Sequence, residues 1–381
     1  MNAPVPPIRL GMVGGGQGAF IGAIHRIASR IDGEFELVAG ALSSTAERSL
    51  ASGEALGLRR VYGTFAEMAQ REARRKDGIE AVAIVTPNHL HFPVAREFLR
   101  RGVHVICEKP LTATTAQAKK LAGLCQKSAA LFVLTHSYTG YPMVRQARAM
   151  VAAGDLGQVR LVQVEYPQGW LATKLEDRGV KQAQWRTDPA QSGPGGCIAD
   201  LGTHAMHLAT YVSGLRLEAV CADLDQVVDG RSLDDNAHVL MRYQGGAKGL
   251  LWASQVAPGH ENGLRLRLYG TKGGLDWAQE APDSLWHAPL GRPKRLLTRG
   301  GAGTGAAANR VTRTPFGHPE GYLEAFANIY SEAARAIHAR HTGEPLDPAV
   351  SFPGIVDGLA GMAFIDACLR SNARGGRWVR F

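Results

Sequence analysis

The sequence predicts an α/β domain with a doubly wound parallel sheet, followed by an α+β domain with a large, mostly antiparallel sheet open on one face. Three observations predict it. The first third alternates short, uniformly apolar runs with helical stretches, the middle turns to longer runs of period-two character, and a glycine cluster separates the first strand from the first helix. At 381 residues the chain is long enough for two domains that each bury a core. The change of texture after Ser137 places them at 1–137 and 138–381.

In the first domain Ile8 to Val13 is a strand, the glycine cluster follows, and Ala19 to Ser29 is a helix. Phe35 to Leu42, Gly78 to Val85, Val103 to Cys107 and Leu131 to Thr135 are the later strands, with helical stretches Pro93 to Arg101 and Ala113 to Ala129 between them. Strands without in/out alternation are buried on both faces, as in a parallel sheet covered by helices.

The second domain reads differently. Val159 to Tyr166, Leu217 to Val228, Ala237 to Tyr243, Lys248 to Gln255 and Gly263 to Tyr269 are strands in which one face meets a core. Leu264, Leu266 and Leu268 alternate with Arg265, Arg267 and Tyr269, and Gly245-Gly246, Pro258-Gly259 and Gly273-Gly274 are turn signals. A helix runs from about Asp200 to Val212. The Gly/Ala/Arg-rich stretch Gly300 to Gly317 has no fold signal and is expected as a mobile loop. Two amphipathic helices close the chain, one with Tyr322, Phe326, Ile329 and Ala333 on its face, the other with Ile355, Leu359, Met362 and Leu369.

Composition excludes several classes. Hydrophobic residues are 45% and charged residues 20%, and no apolar run approaches a membrane span. Met1 to Pro7 lacks a basic stretch followed by an apolar one, so no secretory leader is expected. Five scattered cysteines without a Cys-x-x-Cys pair argue for a reducing compartment, and the expectation is a cytoplasmic protein. The net charge of +9 is dispersed and its clusters lack interleaved aromatics, which argues against nucleic acid and suits an anionic cofactor. His89 and His91 stand without a carboxylate or thiolate array, so no metal is expected.

Gly14-Gly15-Gly16-Gln17-Gly18-Ala19 gives Gly-x-Gly-x-x-Ala between a strand and a helix. The first glycine permits the tight turn, Gly16 lets the backbone approach a pyrophosphate, and a small residue at Ala19 lets helix and strand pack closely. This is the fingerprint of a Rossmann dinucleotide-binding domain. The second strand ends at Leu42-Ser43-Ser44-Thr45 with Arg48 one turn on, and no acidic residue awaits a ribose 2′-hydroxyl. Ser43 and Arg48 suit either NAD(H) or NADP(H), or cap a helix.

Glu108-Lys109-Pro110 follows one strand, and Thr86-Pro87-Asn88 with His91 follows the strand before it. Trp185-Arg186 leads to Gly195-Gly196-Cys197-Ile198-Ala199-Asp200-Leu201-Gly202-Thr203-His204. With the Gly270-Thr271-Lys272-Gly273 hairpin, these motifs resemble, in order and nearly end to end, the Gfo/Idh/MocA family of sugar and cyclitol oxidoreductases. The resemblance implies that Lys109 hydrogen-bonds the reacting hydroxyl, that His204 accepts its proton, and that Asp200 holds substrate. It implies cofactor contacts from Glu108, Pro87, Asn88 and Arg186. Family members often carry an acidic residue three positions after the histidine, where this chain has His207, so its secondary substrate contacts differ.

The chemistry agrees. Oxidising a secondary alcohol sends a hydride to nicotinamide and a proton to a base, and imidazole, with an ordinary pKa of about 6.5, suits that proton. A nearby ammonium steadies the developing alkoxide. Tyr138 and Trp185 are further candidates for substrate contact. The expected function is hydride transfer at a secondary hydroxyl of a small sugar or polyol. The rivals are a glycoside-cleaving enzyme that oxidises its substrate transiently, and a non-catalytic dinucleotide sensor. Relatives of this kind assemble as dimers or tetramers, so a homodimer or homotetramer through the open sheet face is expected.

Overall fold

The computed structural model describes residues 6–381. The start of the chain, Met1 to Val5, on which the leader expectation partly rests, lies outside the described residues. Two compact units form, one of residues up to Ser137 together with Tyr322–Leu359, the other of Tyr138–Gly321 together with Ala360–Phe381. The single cut expected at Ser137/Tyr138 therefore misplaces Tyr322–Leu359, for a reason visible in its packing.

The first unit is a six-stranded sheet ordered β3-β2-β1-β4-β5-β6. The strands are β1 (Ile8–Gly14), β2 (Phe35–Ala41), β3 (Arg60–Val61), β4 (Ala81–Val85), β5 (His104–Cys107) and β6 (Phe132–Leu134). All five pairings are parallel. β4 and β5 are buried at every position, as their uniformly apolar sequences require. The order reverses direction at β1 and β4, so their carboxyl ends open the crevice where such sheets bind ligands.

Helix Tyr322–Thr342 completes this unit. Phe326, Ile329, Tyr330, Ala333 and Ile337 recur every three or four residues and join Ile8, Leu10, Met12 and Phe35 in one buried cluster. Helix Phe20–Ile31 packs beside it. The apolar stripe was legible in the sequence, but its partners, about 300 residues upstream, were not.

The second unit carries a nine-stranded sheet ordered β14-β13-β12-β11-β7-β10-β9-β8-β15. Its strands are β7 (Val159–Pro167), β8 (Leu217–Asp225), β9 (Asn236–Tyr243), β10 (Lys248–Ser254), β11 (Arg265–Gly270), β12 (Gly273–Ala278), β13 (Ser284–Pro289), β14 (Arg295–Thr298) and β15 (Val379–Arg380). Only β7 and β10 pair in parallel. The rest pair antiparallel. Gly273-Gly274 begins β12, and the turn falls on Thr271 and Lys272. One face is buried through residues such as Val162, Val164, Val239, Met241, Leu266 and Leu268, and helix Thr203–Ser213 packs on β7. All five cysteines are free.

The Gly/Ala/Arg-rich stretch is fastened at several points, contrary to the expectation of a mobile loop. The Gly305 N–H donates to Gln146 Oε1 at 2.7 Å, and the short helix Ala306–Asn309 packs on helix Pro142–Ala152. At its base Arg299 is buried between Asp283 (2.7 Å) and Glu320 (3.1 Å) and donates to the Thr314 and His318 carbonyls. A low-complexity composition hid tertiary anchors that lie outside the stretch. Among the described residues, no helix is long and apolar enough to cross a membrane.

Candidate active site

In the first unit the site starts at the turn after β1. Gly14, Gly15 and Gly18 have φ of 81°, 72° and 75°, a region open to glycine. A Cβ on Gly16 would lie 2.7 Å from both the Leu42 carbonyl and Ser52 Oγ, so that position admits no side chain. The close packing of helix on turn falls to Gly22, whose Cβ would lie 2.4 Å from the Gly15 Cα. This corrects the role assigned to Ala19, which stands at the N-cap of helix Phe20–Ile31 instead. The usable signal was Gly18-x-x-x-Gly22, one helical turn further on.

That helix start is bare. Ala19 supplies no capping oxygen, and the first turn holds no acidic residue. Helices Ala46–Ala55, Phe65–Glu72 and Thr115–Lys127 are capped instead by Thr45, Thr64 and Thr114. An uncapped helix N-terminus leaves backbone donors and a positive dipole end for an anion. Gly16, Gln17, Ala19 and Arg26 line a cavity of about 390 Å³ there. At the carboxyl end of β4, Thr86 Oγ1 is buried without a partner. A glycine cradle, an uncapped helix start and an orphaned hydroxyl fit a pyrophosphate-bearing dinucleotide. No carboxylate follows β2: Ser43 is half-buried, and exposed Arg48 gives its backbone N–H to the capping Thr45 Oγ1 at 3.4 Å.

Glu108, Lys109 and Pro110 follow β5, and the Lys109–Pro110 peptide is cis. His91 is fully buried, with Nδ1 2.8 Å from the Pro110 carbonyl and Nε2 3.0 Å from that of Thr86. Burial depresses its basicity, although the two carbonyls work against that. Set between these two carbonyls, His91 ties the two loops together, donating from one ring nitrogen while it is neutral. Asn88 is buried in the turn after β4 and Pro87 is half-buried beside it. Glu108 is buried, and its carboxylate accepts from His25 Nε2 (2.9 Å), Thr135 Oγ1 (2.5 Å) and the Lys109 N–H (3.3 Å).

In the second unit, the segment Ile198–Gly202 forms a π-helical turn that runs into helix Thr203–Ser213. Such widened turns are often found at functional sites. Asp234, from the approach to β9, anchors it: Oδ1 accepts from the Gly196 N–H and Oδ2 from the Ile198 N–H, both at 2.7 Å. Burial nevertheless pushes the Asp234 carboxyl up to about 6. Asp200 Oδ2 accepts from Arg186 Nε (3.3 Å) and Gln255 Nε2 (3.0 Å). The Arg186 guanidinium also lies over the Trp185 ring at 4.2 Å. Arg186 thus orients the carboxylate of its own unit.

His204 is buried, its ring edge-on to Tyr138 at 4.8 Å and to Tyr166 at 6.2 Å. Asn262 Oδ1 can only accept, so the Tyr166 hydroxyl donates to it at 2.7 Å, and the Tyr138 hydroxyl donates to Tyr166. Gln168 Nε2 donates to the same Asn262 oxygen at 2.7 Å. His207 is buried one turn further on, its ring stacked on Tyr211 at 6.1 Å. Asp234, Gln255, Tyr166, Gln168 and Asn262 were missed, since only the tertiary fold brings them to the motif. Among the described residues, no group of three or more His, Cys, Asp or Glu side chains is arranged to hold a metal.

Comparison with known proteins accounts for both halves. Residues 8–136 match the Gfo/Idh/MocA oxidoreductase family, NAD-binding Rossmann fold, and residues 144–276 match the family's C-terminal domain. The oxidoreductase YfiI of Bacillus subtilis is 37% identical over 98% of this chain and 97% of its own length. A crystal structure of an oxidoreductase from Sinorhizobium meliloti is 61% identical, with a TM-score of 0.90 over 98% of this chain and 99% of that one. An inositol dehydrogenase homolog from Azotobacter vinelandii, complexed with NADH and myo-inositol, is 36% identical, with a TM-score of 0.93 over 99% of this chain and 98% of that one. The chain belongs to the Gfo/Idh/MocA oxidoreductase family, and its first unit is built on that family's NAD-binding Rossmann domain.

Proposed function

We propose that the protein interconverts a secondary hydroxyl and a carbonyl on a cyclitol or sugar, with NAD(H) or NADP(H) as redox partner. The reading is carried by the turn that presents Asp200 and His204, a carboxylate clamped by two side chains beside a histidine flanked by two tyrosines. It gains weight from likeness to a homologue complexed with NADH and myo-inositol. The bound nicotinamide supplies the hydride acceptor.

Lys109 donates to the reacting oxygen and steadies its charge as the proton departs. His204 takes that proton through a ring nitrogen. Asp200, oriented by Arg186 and Gln255, accepts from a second substrate hydroxyl. The Tyr138 hydroxyl proton is committed to Tyr166, so Tyr138 contributes its ring and its acceptor oxygen. The test is a panel of cyclitols and sugars, myo-inositol first, incubated with NAD⁺ or NADP⁺ and followed by nicotinamide absorbance. Tight cofactor binding without reduction across the panel would sink the proposal.

We also propose that the open face of the second-unit sheet is covered by another copy of this chain. Strand registers put Leu161, Leu240, Leu250, Tyr269, Trp286 and Leu296 on that face, each more than a third exposed. An apolar patch of this extent favours an isologous partner. Light scattering should report a multiple of 40.7 kDa, and a monomer at micromolar concentration would refute the interface.

A further inference from the structure

We propose that His25 and Tyr330 are positioning residues for the reaction, locking the buried Glu108 carboxylate and, through it, the backbone of Lys109. The inference rests on the reading of Lys109 given above. Helix Phe20–Ile31 buries Gly22, His25, Ala28 and Ser29 on one face, and His25 is fully enclosed. Its Nε2 lies 2.9 Å from Glu108 Oε1, and its Nδ1 lies 2.7 Å from the Tyr330 hydroxyl, contributed by helix Tyr322–Thr342. Edge-on contacts of His25 with Phe326 at 5.2 Å and of Tyr330 with Phe35 at 5.2 Å fix both rings.

The proton order follows from the chemistry of the groups. Burial pushes the Glu108 carboxyl up, but the His25 bond, the charges of His25 and Lys109, and the Thr135 bond together outweigh it and hold Glu108 below the usual range. Glu108 is then an anion that can only accept, so the proton between it and His25 sits on Nε2. Nδ1 pairs with the Tyr330 hydroxyl, which accepts from a doubly protonated ring and donates to a singly protonated one. The groups that face the carboxylate are His25, Thr135, Lys109, Cys107, His91 and Tyr330. A buried charged network costs more than an apolar core of the same volume, and this one stands directly before Lys109. Its structural product is one fixed orientation for the peptide that carries the lysine.

Tyr330→Phe in the full-length protein removes one oxygen and keeps the ring contacts. The first readout needs no substrate: carbon-13 NMR of the glutamate carboxyls, with Glu108→Gln identifying the resonance. Wild-type Glu108 should titrate below ordinary glutamates, and its pKa should rise in Tyr330→Phe and further in His25→Leu, with NADH affinity within about twofold. The second readout is steady-state turnover of whichever polyol the wild type oxidises. Tyr330→Phe should lower kcat roughly tenfold, by analogy with loss of an orienting outer partner, with KM nearly unchanged. His25→Gln, which keeps a donor toward Glu108, should recover part of the kcat lost in His25→Leu.

An unmoved Glu108 titration in Tyr330→Phe overturns the inference. So does a fall in which kcat, KM, NADH affinity and melting temperature decline together, the mark of a merely structural role. If the wild type oxidises nothing in the panel, the proposed reaction fails, and the titration still decides whether the network exists.

Discussion

At the end of β1 the chain makes room by leaving side chains out: Gly16 meets Leu42 and Ser52, Gly22 meets Gly15, and the following helix start has no cap. At the start of helix Thr203–Ser213 it does the reverse, and fills space with side chains from distant segments. Asp234 holds the turn, Gln255 and Arg186 hold Asp200, and Tyr138 and Tyr166 flank His204. A site made of backbone is written in contiguous residues and tolerates no added atoms. One made of side chains is dispersed along the chain and fails by losing a functional group.

The contrast breaks most sharply on the reactive groups. Lys109→Ala and His204→Ala should each lose at least ~10²-fold in turnover while NADH affinity holds, as measured by steady-state kinetics and fluorescence titration. If the two serve one proton transfer, as proposed, the double variant should be only slightly worse than the poorer single one. His207→Ala is the control and should alter KM more than kcat. If His207→Ala is inactive and His204→Ala is nearly normal, the base has been assigned to the wrong histidine.

The backbone half should respond to size. Gly16→Val should abolish NADH binding while the second unit stays folded. Gly22→Ala should destabilise the protein by ~1–3 kcal/mol in denaturant titration, the usual cost of overpacking, whereas Ala19→Gly should cost less than about 1 kcal/mol. Equal tolerance at positions 19 and 22 would remove Gly22 from the close-packing role.

A smaller, pH-dependent difference sharpens the comparison. His104 in β5 accepts from the Leu131 N–H at 2.9 Å, and burial, with His341 and Arg340, pulls it down to about 4. Its folded pKa lies below the unfolded value, so up to about 3 kcal/mol of stability is lost as pH falls from 6.5 toward 4. Asp234 runs the other way. Its folded pKa is raised to about 6, so the stability it contributes is full below the unfolded value near 3.8 and is lost as pH rises through 6, again up to about 3 kcal/mol. Hydrogen exchange, corrected for intrinsic rates, should show β5 loosening and the Gly196–Ile198 turn tightening on acidification from pH 6.5 to 4. Movement of both in the same direction would contradict this assignment.

The contiguous signals could be read. Apolar β4 and β5, the alternation of β9 and β11, the glycine turn and the Asp200-x-x-x-His204 spacing were all visible because each is local. Gln255 and Asn262 carried no signal, since an amide at a strand end becomes informative only when the sheet brings it beside a motif. His91 shows the opposite case: it stands in a motif, yet its packing against two backbone carbonyls is visible only in the fold. Ala19 was chosen by a spacing rule, whereas the close contact with the turn falls three residues on, at Gly22. The strands β12, β13 and β14 are short and lie at the outer end of the sheet, where apolar periodicity is weak.

The discontinuity of the first unit bears on how the protein is made. Translation delivers β1 through β6 first, then the whole nine-strand sheet apart from β15, and only afterwards the helix whose Phe326, Ile329 and Tyr330 close the first core. Until that helix leaves the ribosome, the nascent Rossmann sheet waits with Ile8, Leu10 and Phe35 lacking their partner. A fragment ending at Ser137 should therefore be a client of chaperones rather than a portable cofactor module. Exchange of this domain between proteins would have to carry two separated gene segments, not one.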